Sequence, residues 1–180
     1  MKSLFLLFFV LPLLALHAQP LNGNYTVGGS SPDFLTPQDA ADALKSNGVS
    51  GPVFMNIRPG IYMRDGGLSS VMILDGNNGN IAGTSSVNRI TFQPDEAAGG
   101  NVNNVLLQID QTTQTQTALV SIKTDHVTLR NLTLEDIDLM EAGANFLLSI
   151  DQSSNPIAED IIIEGCRFIG NSNPGCGPTY

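Results

Sequence analysis

Two ten-residue segments of this chain repeat one pattern of apolar side chains: His126–Glu135 reads HVTLRNLTLE and Asp160–Ile169 reads DIIIEGCRFI. Each is apolar–x–apolar, then two residues, then apolar–x–apolar, which predicts two short strands with a change of phase between them. A bend at Asn131 and at Gly165 would restore the phase, because Asn and Gly tolerate the left-handed conformation that a corner often needs. Val127 of the first copy corresponds to Ile161 of the second. This spacing is too long for a hairpin, and it fits a coil in which each strand lies parallel to the strand of the turn before.

Shorter repeats extend the pattern towards the N-terminus. Phe146–Ile150 repeats Ala118–Ile122, and Arg89–Phe92 matches the start of the strand at Val127. We therefore predict an all-β solenoid with two complete coils of three strands, and a third coil that begins at residue 161. The alternative is a β-sandwich of short strands. The predicted strands cover 90–92, 105–109 and 118–122 in the first coil, and 127–129, 132–135 and 146–150 in the second. The positions expected to face inward are Ile90, Phe92, Val127, Leu129, Leu132, Leu134, Ile161, Ile163 and Phe168.

Residues 1–18 are typical of a secretory signal peptide. Lys2 gives the positive start, an apolar stretch runs to Leu16, and Ala18 precedes the expected cut before Gln19. Loss of Lys2 leaves 7 basic residues (8 − 1) against 17 acidic ones, a net charge of −10 (7 − 17). Such a charge disfavours nucleic acid and anionic membranes as partners. No later stretch is long and apolar enough to cross a membrane, so we expect a secreted or cell-surface protein.

One helix is predicted over residues 36–47. Thr36 is a suitable N-cap, Asp39 completes a capping box, and Gly48 is a suitable C-terminal glycine. A stack of strands leaves unpaired backbone at its open end, which something must cover. We therefore assign residues 19–63 as an N-terminal cap of strand, helix and strand, and residues 64–180 as the first coils of the solenoid.

The cap also carries a resemblance to a known family. Asp33–Leu44 (DFLTPQDAADAL) followed by Val53–Tyr62 (VFMNIRPGIY) resembles the opening of the pectin lyase-like superfamily. Leu21–Gly29 (LNGNYTVGG) resembles more closely a group of large bacterial secreted β-helix proteins, many of which carry a C-terminal sorting domain for type IX secretion. The resemblance implies a right-handed parallel β-helix with an N-terminal α-helical cap.

The motifs that carry catalysis in that superfamily do not occur in this chain. The esterase motifs QDTL and DFIFG are absent, as are the polygalacturonase motifs NTD, DD and GHG. Lys123–His126 (KTDH) offers an acid, a base and a histidine, and a surface turn between two strands explains it more simply. We therefore assign no catalytic residue and leave open whether the protein is an enzyme.

Acidic and amide side chains give weak candidates for a calcium site. Asp75 and Asn77 lie in DGNNGN, which departs from the EF-hand pattern at its fifth place, and Asp110 and Asp151 each follow an LLxI strand core. Glu135, Asp136 and Asp138 form a further acidic group beyond a strand. Each of these groups also fits a solvated turn, so we expect no cofactor, with Ca²⁺ as the alternative.

The two cysteines lie close together in the sequence, at Cys166 and Cys176. A local disulfide could form in an oxidising compartment. We favour instead a Cys166 that is buried as a small apolar side chain and faces away from Cys176.

We predict a non-catalytic binding, adhesive or structural module, directed at glycans or at a partner protein. The alternative is a polysaccharide-active enzyme, similar to a pectate lyase or pectin esterase, with catalytic residues beyond residue 180. No strand is predicted after Ile169 to complete the third coil, so we expect an N-terminal fragment of a longer protein. Its apolar end at Ile161–Ile163 should make this chain self-associate.

Overall fold

Short apolar runs form parallel strands that return repeatedly to the same sheets. The computed structural model describes residues 19–63, 70–76, 79–109, 118–137, 146–151 and 158–170. Those residues form twelve strands, one α-helix and one 3₁₀ turn at Glu96–Ala98. The strands are β1 Leu21–Val27, β2 Val49–Ile57, β3 Gly60–Met63, β4 Met72–Leu74, β5 Ile90–Pro94, β6 Val105–Ile109, β7 Ala118–Ile122, β8 Val127–Arg130, β9 Thr133–Asp136, β10 Phe146–Ile150, β11 Ile162–Glu164 and β12 Arg167–Ile169, and the helix is α1 Pro37–Asn47.

The strands make three sheets, and the chain visits them in a fixed order. Sheet 1 has the order β1-β2-β5-β8-β11, sheet 2 has β3-β6-β9-β12, and sheet 3 has β4-β7-β10. From β2 onwards, successive strands enter sheets 1, 2 and 3 in turn. Neighbouring strands pair in parallel throughout. The prediction of a mostly β chain is therefore confirmed, whereas its winding as a right-handed β-helix stays a prediction.

The repeats read from the sequence coincide with the observed strand pairs. Phe146 pairs with Ala118, and Ile90 pairs with Val127. The long repeat is also correct, because β8 and β11 pair in parallel with Thr128 opposite Ile162. The sheets begin earlier than predicted, since β2, β3 and β4 already pair with β5, β6 and β7. The strands of the predicted cap region thus belong to the same sheets as the later strands.

The change of phase inside each long repeat is a bend, as predicted. Asn131 has a φ of 53° and Gly165 a φ of 62°, so both adopt the left-handed conformation between two strands. The two bends lie side by side, because a Cβ added to Gly165 would lie 2.0 Å from the side-chain oxygen of Asn131. This corner sends β8 and β9 into different sheets while Leu129 and Leu134 both remain in the core.

The apolar core lies between the sheets. Six of the positions predicted to face inward are fully buried in it, namely Ile90, Phe92, Val127, Leu129, Leu132 and Leu134. Ile161 and Ile163 are only partly buried against this core. Phe168 pairs with the buried Leu134 and yet is 48% exposed. It lies on β12, which is an edge strand of sheet 2, so no further described strand covers it.

The helix forms for the reasons that its sequence indicates. The Thr36 hydroxyl accepts a hydrogen bond from the Asp39 backbone N–H at 3.1 Å, and the Asp39 carboxylate accepts one from the Thr36 N–H at 2.9 Å. At the other end the Gly48 N–H donates to the Leu44 carbonyl. Ala40, Ala41 and Leu44 are buried, and the helix packs against β1, β2 and β4. The prediction of this capped helix is therefore confirmed.

Candidate functional site

A row of polar side chains crosses the outer face of sheet 1. Side chains on a strand alternate between its two faces, and Met55, Phe92 and Leu129 fill the inner face of β2, β5 and β8. The next residue along each strand therefore points outward. Together with an exposed asparagine on β1 and a glutamate on β11, these residues make up what we call the polar row: Asn24, Asn56, Gln93, Arg130 and Glu164.

Hydrogen bonds connect every member of the polar row to the next. The amide of Asn56 donates to the Asn24 side-chain oxygen at 3.5 Å, and Gln93 donates to the Asn56 oxygen at 2.9 Å. Nη1 of Arg130 donates to the Gln93 oxygen at 3.2 Å, while its Nε donates to Glu164. The row therefore holds its side chains in one extended arrangement across five strands.

The polar row keeps part of its hydrogen-bonding capacity unused. A carboxamide offers two N–H donors and two acceptor lone pairs, and the bonds along the row take one donor and one acceptor position from Asn56 and from Gln93. The charges of Arg130 and Glu164 pair with one another. Strands lie about 4.8 Å apart, so the row is roughly 19 Å long. It is a neutral strip that can exchange hydrogen bonds with an extended, hydroxyl-rich ligand.

The KTDH sequence at Lys123–His126 forms a structural corner. The Thr124 hydroxyl accepts a hydrogen bond from the Ile81 N–H at 2.8 Å. The Asp125 carboxylate accepts bonds from the Asn80 side chain and, at 2.7 Å, from the Glu159 N–H. These bonds join three segments that are distant in sequence, at residues 80–81, 124–125 and 159. They support the interpretation of Lys123–His126 as a structural turn.

The histidine of that corner belongs to an ionic cluster that joins three strand beginnings. Nδ1 of His126 lies 2.9 Å from Oδ2 of Asp160, and Arg89 pairs with the same carboxylate. The hydrogen bond with His126 is the main cause that holds the pKa of Asp160 below its usual value. A carboxylate that orients a histidine is part of many catalytic sites. Within the described part of the chain, however, no serine, threonine or cysteine is hydrogen-bonded to the His126 ring.

The candidate calcium ligands do not form a cluster in the described residues. Both carboxylate oxygens of Asp75 accept hydrogen bonds from Lys45, at 3.0 and 2.9 Å. Asp75 follows β4, and Asp151 follows β10 in the same sheet. The two carboxylates are separated by β7, which lies between these strands and is followed by Lys123. Asn77 and Asp110 lie outside the described residues, as does Asp138 of the acidic group. Among the residues described, no group of three or more acidic, histidine or cysteine side chains is arranged to hold a metal ion.

The remaining acidic and thiol candidates have ordinary structural contacts. Glu135 accepts a hydrogen bond from Gln108 at 2.7 Å across sheet 2. The Cys166 thiol is half-buried and donates to the Leu129 carbonyl at 3.5 Å, and its burial raises the pKa of that thiol. Cys176 lies outside the described residues, so a disulfide between the two cysteines stays untested.

A cleft of about 270 Å³ lies between the start of α1 and β3. Exposed Leu35, Ile61 and Met63 form its apolar rim, and the Tyr62 ring forms part of its wall. The Tyr62 hydroxyl donates to the Arg58 carbonyl at 2.8 Å, and burial raises the pKa of this hydroxyl. The Tyr62 hydroxyl is thus already bonded within the chain, and Thr36 and Gln38 also line the cleft.

Sequence reasoning missed the polar row, although the repeats contain the signal for it. Gln93, Arg130 and Glu164 each come directly after the second inward residue of their strands. Aligning the repeats therefore places all three at one outward position. Their importance is hidden in a single strand, because one exposed polar residue on a strand is ordinary.

In the described ranges, no helix has the length and apolar character that a membrane crossing requires. The predicted signal peptide lies outside these ranges, and secretion therefore stays a prediction. The resemblance to the pectin lyase-like superfamily also stays a prediction. No protein-family model, curated protein or solved structure matches this chain.

Proposed function

We propose that this chain is a secreted, non-catalytic binding module, wound as a right-handed parallel β-helix, that holds neutral linear glycans on its polar row. The single observation that carries the binding role is the continuous hydrogen-bonded row from Asn24 to Glu164 on the outer face of sheet 1. Export follows from the predicted signal peptide over residues 1–18.

The order in which the chain visits its sheets supports this winding. Strands enter sheets 1, 2 and 3 in turn and pair in parallel with the strand of the previous round. A chain that returns in this way encloses its inward-facing apolar side chains, and those of β5 to β9, such as Phe92, Leu107 and Leu129, are buried. Connections between parallel strands of one sheet are right-handed in about 98% of cases, which favours the right-handed form.

Charge and hydrogen-bonding capacity favour a neutral glycan over a polyuronate. The whole chain has a net charge of −9, which repels polyanions. The only cation of the row, Arg130, already pairs with Glu164. The row's unused amide donors and acceptors suit the hydroxyl groups of a sugar chain.

The described residues favour binding over catalysis. Asp160 and His126 form an acid–base pair, no described serine, threonine or cysteine is hydrogen-bonded to the histidine ring, and Asp125 is occupied by structural hydrogen bonds. A β-helix by itself implies no activity, because function depends on the site that the fold carries. The polysaccharide-active enzyme remains the alternative, and an assay for released sugars would detect it.

A matched pair of glutamine variants tests the binding role. Gln93 and Gln108 are both half-buried on outer faces, and each donates a hydrogen bond to a neighbouring side chain, but only Gln93 belongs to the polar row. We expect the chain to bind xylan, mannan or β-glucan oligosaccharides in calorimetry. Gln93→Leu should weaken that binding at least tenfold, and Gln108→Leu should leave it unchanged.

Two results would contradict the binding role. One is the absence of binding to every neutral glycan tested, together with binding to a polyuronate. The other is an equal loss in Gln93→Leu and Gln108→Leu. Circular dichroism on both variants checks that each one folds like the parent chain.

A further inference from the structure

A second line of side chains lies beside the polar row on the outer face of sheet 1. Each member comes two residues before a member of the polar row on the same strand, so both project from the same face. Backbone pairing places the four members in register across β2, β5, β8 and β11. We call this line the second row, and it consists of Phe54, Thr91, Thr128 and Ile162.

The second row has two threonines in its centre and a large apolar side chain at each end. Thr91 is 4% and Thr128 is 2% exposed, although both project from the outer face. Neither hydroxyl forms a hydrogen bond with a residue that the structure describes. A covered hydroxyl without a hydrogen-bonding partner fits an apolar cover. Phe54 is in register with Thr91, and Ile162 is in register with Thr128, so these two side chains are placed to lie over the threonines.

Phe54 has an aromatic ring that the apolar core does not use. It is partly exposed, whereas Val53 and Met55 on either side of it in β2 are fully buried. It is also not one of the partly buried apolar side chains that pack against the core. Its partner on β1 is the short and exposed Asn24. A Phe54 ring that lies over Thr91 therefore turns its other face to the solvent.

The Phe54 ring and the amides of the polar row can contact the same ligand. Asn56 lies two residues further along β2 on the same face, roughly 7 Å from Phe54. Gln93 on the next strand donates a hydrogen bond to the Asn56 side chain at 2.9 Å. A sugar ring placed on Phe54 would therefore have two carboxamides beside its edge. Ligand sites commonly combine an aromatic surface with a few polar groups that fix the orientation of the ligand.

The course of the polar row favours a straight ligand. Asn56, Gln93, Arg130 and Glu164 are neighbours at one position on four adjacent strands, so the row runs directly across the sheet. In an extended β-1,4-linked glycan, successive sugars advance by a distance close to the spacing of strands. The row, roughly 19 Å long, therefore matches about four such sugars. An α-1,4-linked chain curves, and it would leave the row after fewer sugars.

We propose that Phe54 is a stacking platform and that the polar row selects extended β-1,4-linked glycans over curved ones. This inference rests on the proposed glycan-binding role of the polar row, and it names the class of glycan and a further residue of the site. The face of an aromatic ring carries partial negative charge, so it attracts the weakly positive C–H groups on the face of a sugar ring. One sugar stacks on Phe54, and the next ones exchange hydrogen bonds with the amides of the row.

Calorimetry with two series of glucose oligomers tests the selection, because the two series differ only in their linkage. Affinity for β-1,4-linked cello-oligosaccharides should rise at least tenfold from two sugars to four and then level off. Affinity for α-1,4-linked malto-oligosaccharides should rise less than twofold over the same lengths.

Variants of Phe54 test the platform. Phe54→Leu should weaken binding of cellotetraose at least tenfold, whereas Phe54→Tyr keeps the aromatic face and should keep the affinity. Phe146→Leu is the matched control and should leave the affinity unchanged, since Phe146 is 51% exposed but lies on β10 in sheet 3. Saturation-transfer NMR of the parent chain adds a measurement that needs no variant. Saturation of aromatic protons should pass to the C–H groups of bound cellotetraose.

The contrary outcomes separate this inference from the binding role on which it rests. Equal affinities for the two series would overturn the selection of extended chains. Binding of cellotetraose that depends on Gln93 but not on Phe54 would overturn the platform and leave the binding role intact. The absence of saturation transfer to the bound sugar would also overturn the platform. If neither series binds, nor any other neutral glycan, the binding role fails and this inference fails with it.

Discussion

Truncating two side chains that are partners on neighbouring strands should lower the free energy of unfolding by different amounts, because one is buried and the other is half-exposed. Leu134 on β9 and Phe168 on β12 are direct partners in sheet 2. Leu134 is fully buried, whereas Phe168 is 48% exposed. Leu134→Ala removes a side chain that is enclosed on all sides, while Phe168→Ala removes one that is already half in water.

The expected costs follow from this difference in exposure. Leu→Ala at fully buried sites costs about 3 to 4 kcal/mol, because lost transfer energy and a residual cavity add together. Full burial of a phenylalanine contributes about 1.5 to 3 kcal/mol, and roughly half of that is realised at a half-exposed site without an enclosed cavity. We therefore expect about 1 kcal/mol for Phe168→Ala and a gap of about 2 kcal/mol or more between the variants.

Urea unfolding at a concentration that keeps the chain monomeric measures both free energies of unfolding. The sequence has three tyrosines and no tryptophan, so far-ultraviolet circular dichroism is the suitable signal. If Phe168→Ala costs as much as Leu134→Ala, then Phe168 is covered in solution and the end of the sheets is closed. If Leu134→Ala costs less than about 1 kcal/mol, the register of β9 is wrong.

Three further predictions concern local contacts. Thr36→Ala removes the N-cap of α1 and should lower the free energy of unfolding by about 1 kcal/mol, measured in urea. Gly165→Ala should cost about 1 to 3 kcal/mol, because it places a Cβ at positive φ against Asn131, and an unchanged thermal midpoint would contradict this corner. Hydrogen bonds from Thr26 lower the pKa of Asp33 below 3.8, so this carboxylate stabilises the fold above that pH and the stabilisation disappears as the pH falls through the lowered pKa. Asp33→Asn should therefore be less stable than the parent chain at pH 7, and urea unfolding should show this difference shrinking at pH 3.

Local sequence rules were sufficient wherever one segment determines its own structure. Thr36, Asp39 and Gly48 predict the ends of the helix because capping depends on residues only three or four positions apart. The phase change at Asn131 predicts a bend for a similar reason, since a strand cannot otherwise keep both halves on the core face.

The early start of the sheets was harder to predict. Strand β4, Met72–Leu74, has only three residues, which is too short for an alternating pattern to be distinguished from a loop. Without β4, the set formed by β2, β3 and β4 could not be recognised as equivalent to the later sets. The cap region was therefore predicted separately from sheets that in fact include its strands.

Contacts between successive rounds of strands also escaped prediction. Arg89 reaches Asp160 across 71 residues of sequence, and His126 reaches it across 34. No local pattern marks such partners, because they meet only after the strands have paired. The polar row escaped for a different reason, because its signal appears only when the repeats are aligned and one exposed polar residue on a single strand is ordinary.

The parallel pairing of the strands has a consequence for how fast this chain reaches its structure. Among the described strand pairs, Leu106 and Thr133 are the partners with the shortest sequence separation. Met72 and its partner Val120 are separated by a longer stretch of sequence. No two of the described strands form a hairpin. The pairing of any two of them therefore costs the conformational entropy that is lost when a long loop closes. Chains dominated by such distant pairs refold in milliseconds to seconds, far more slowly than helical bundles of similar stability. Refolding should start where two rounds of strands first meet, and then spread from one round to the next along the stack.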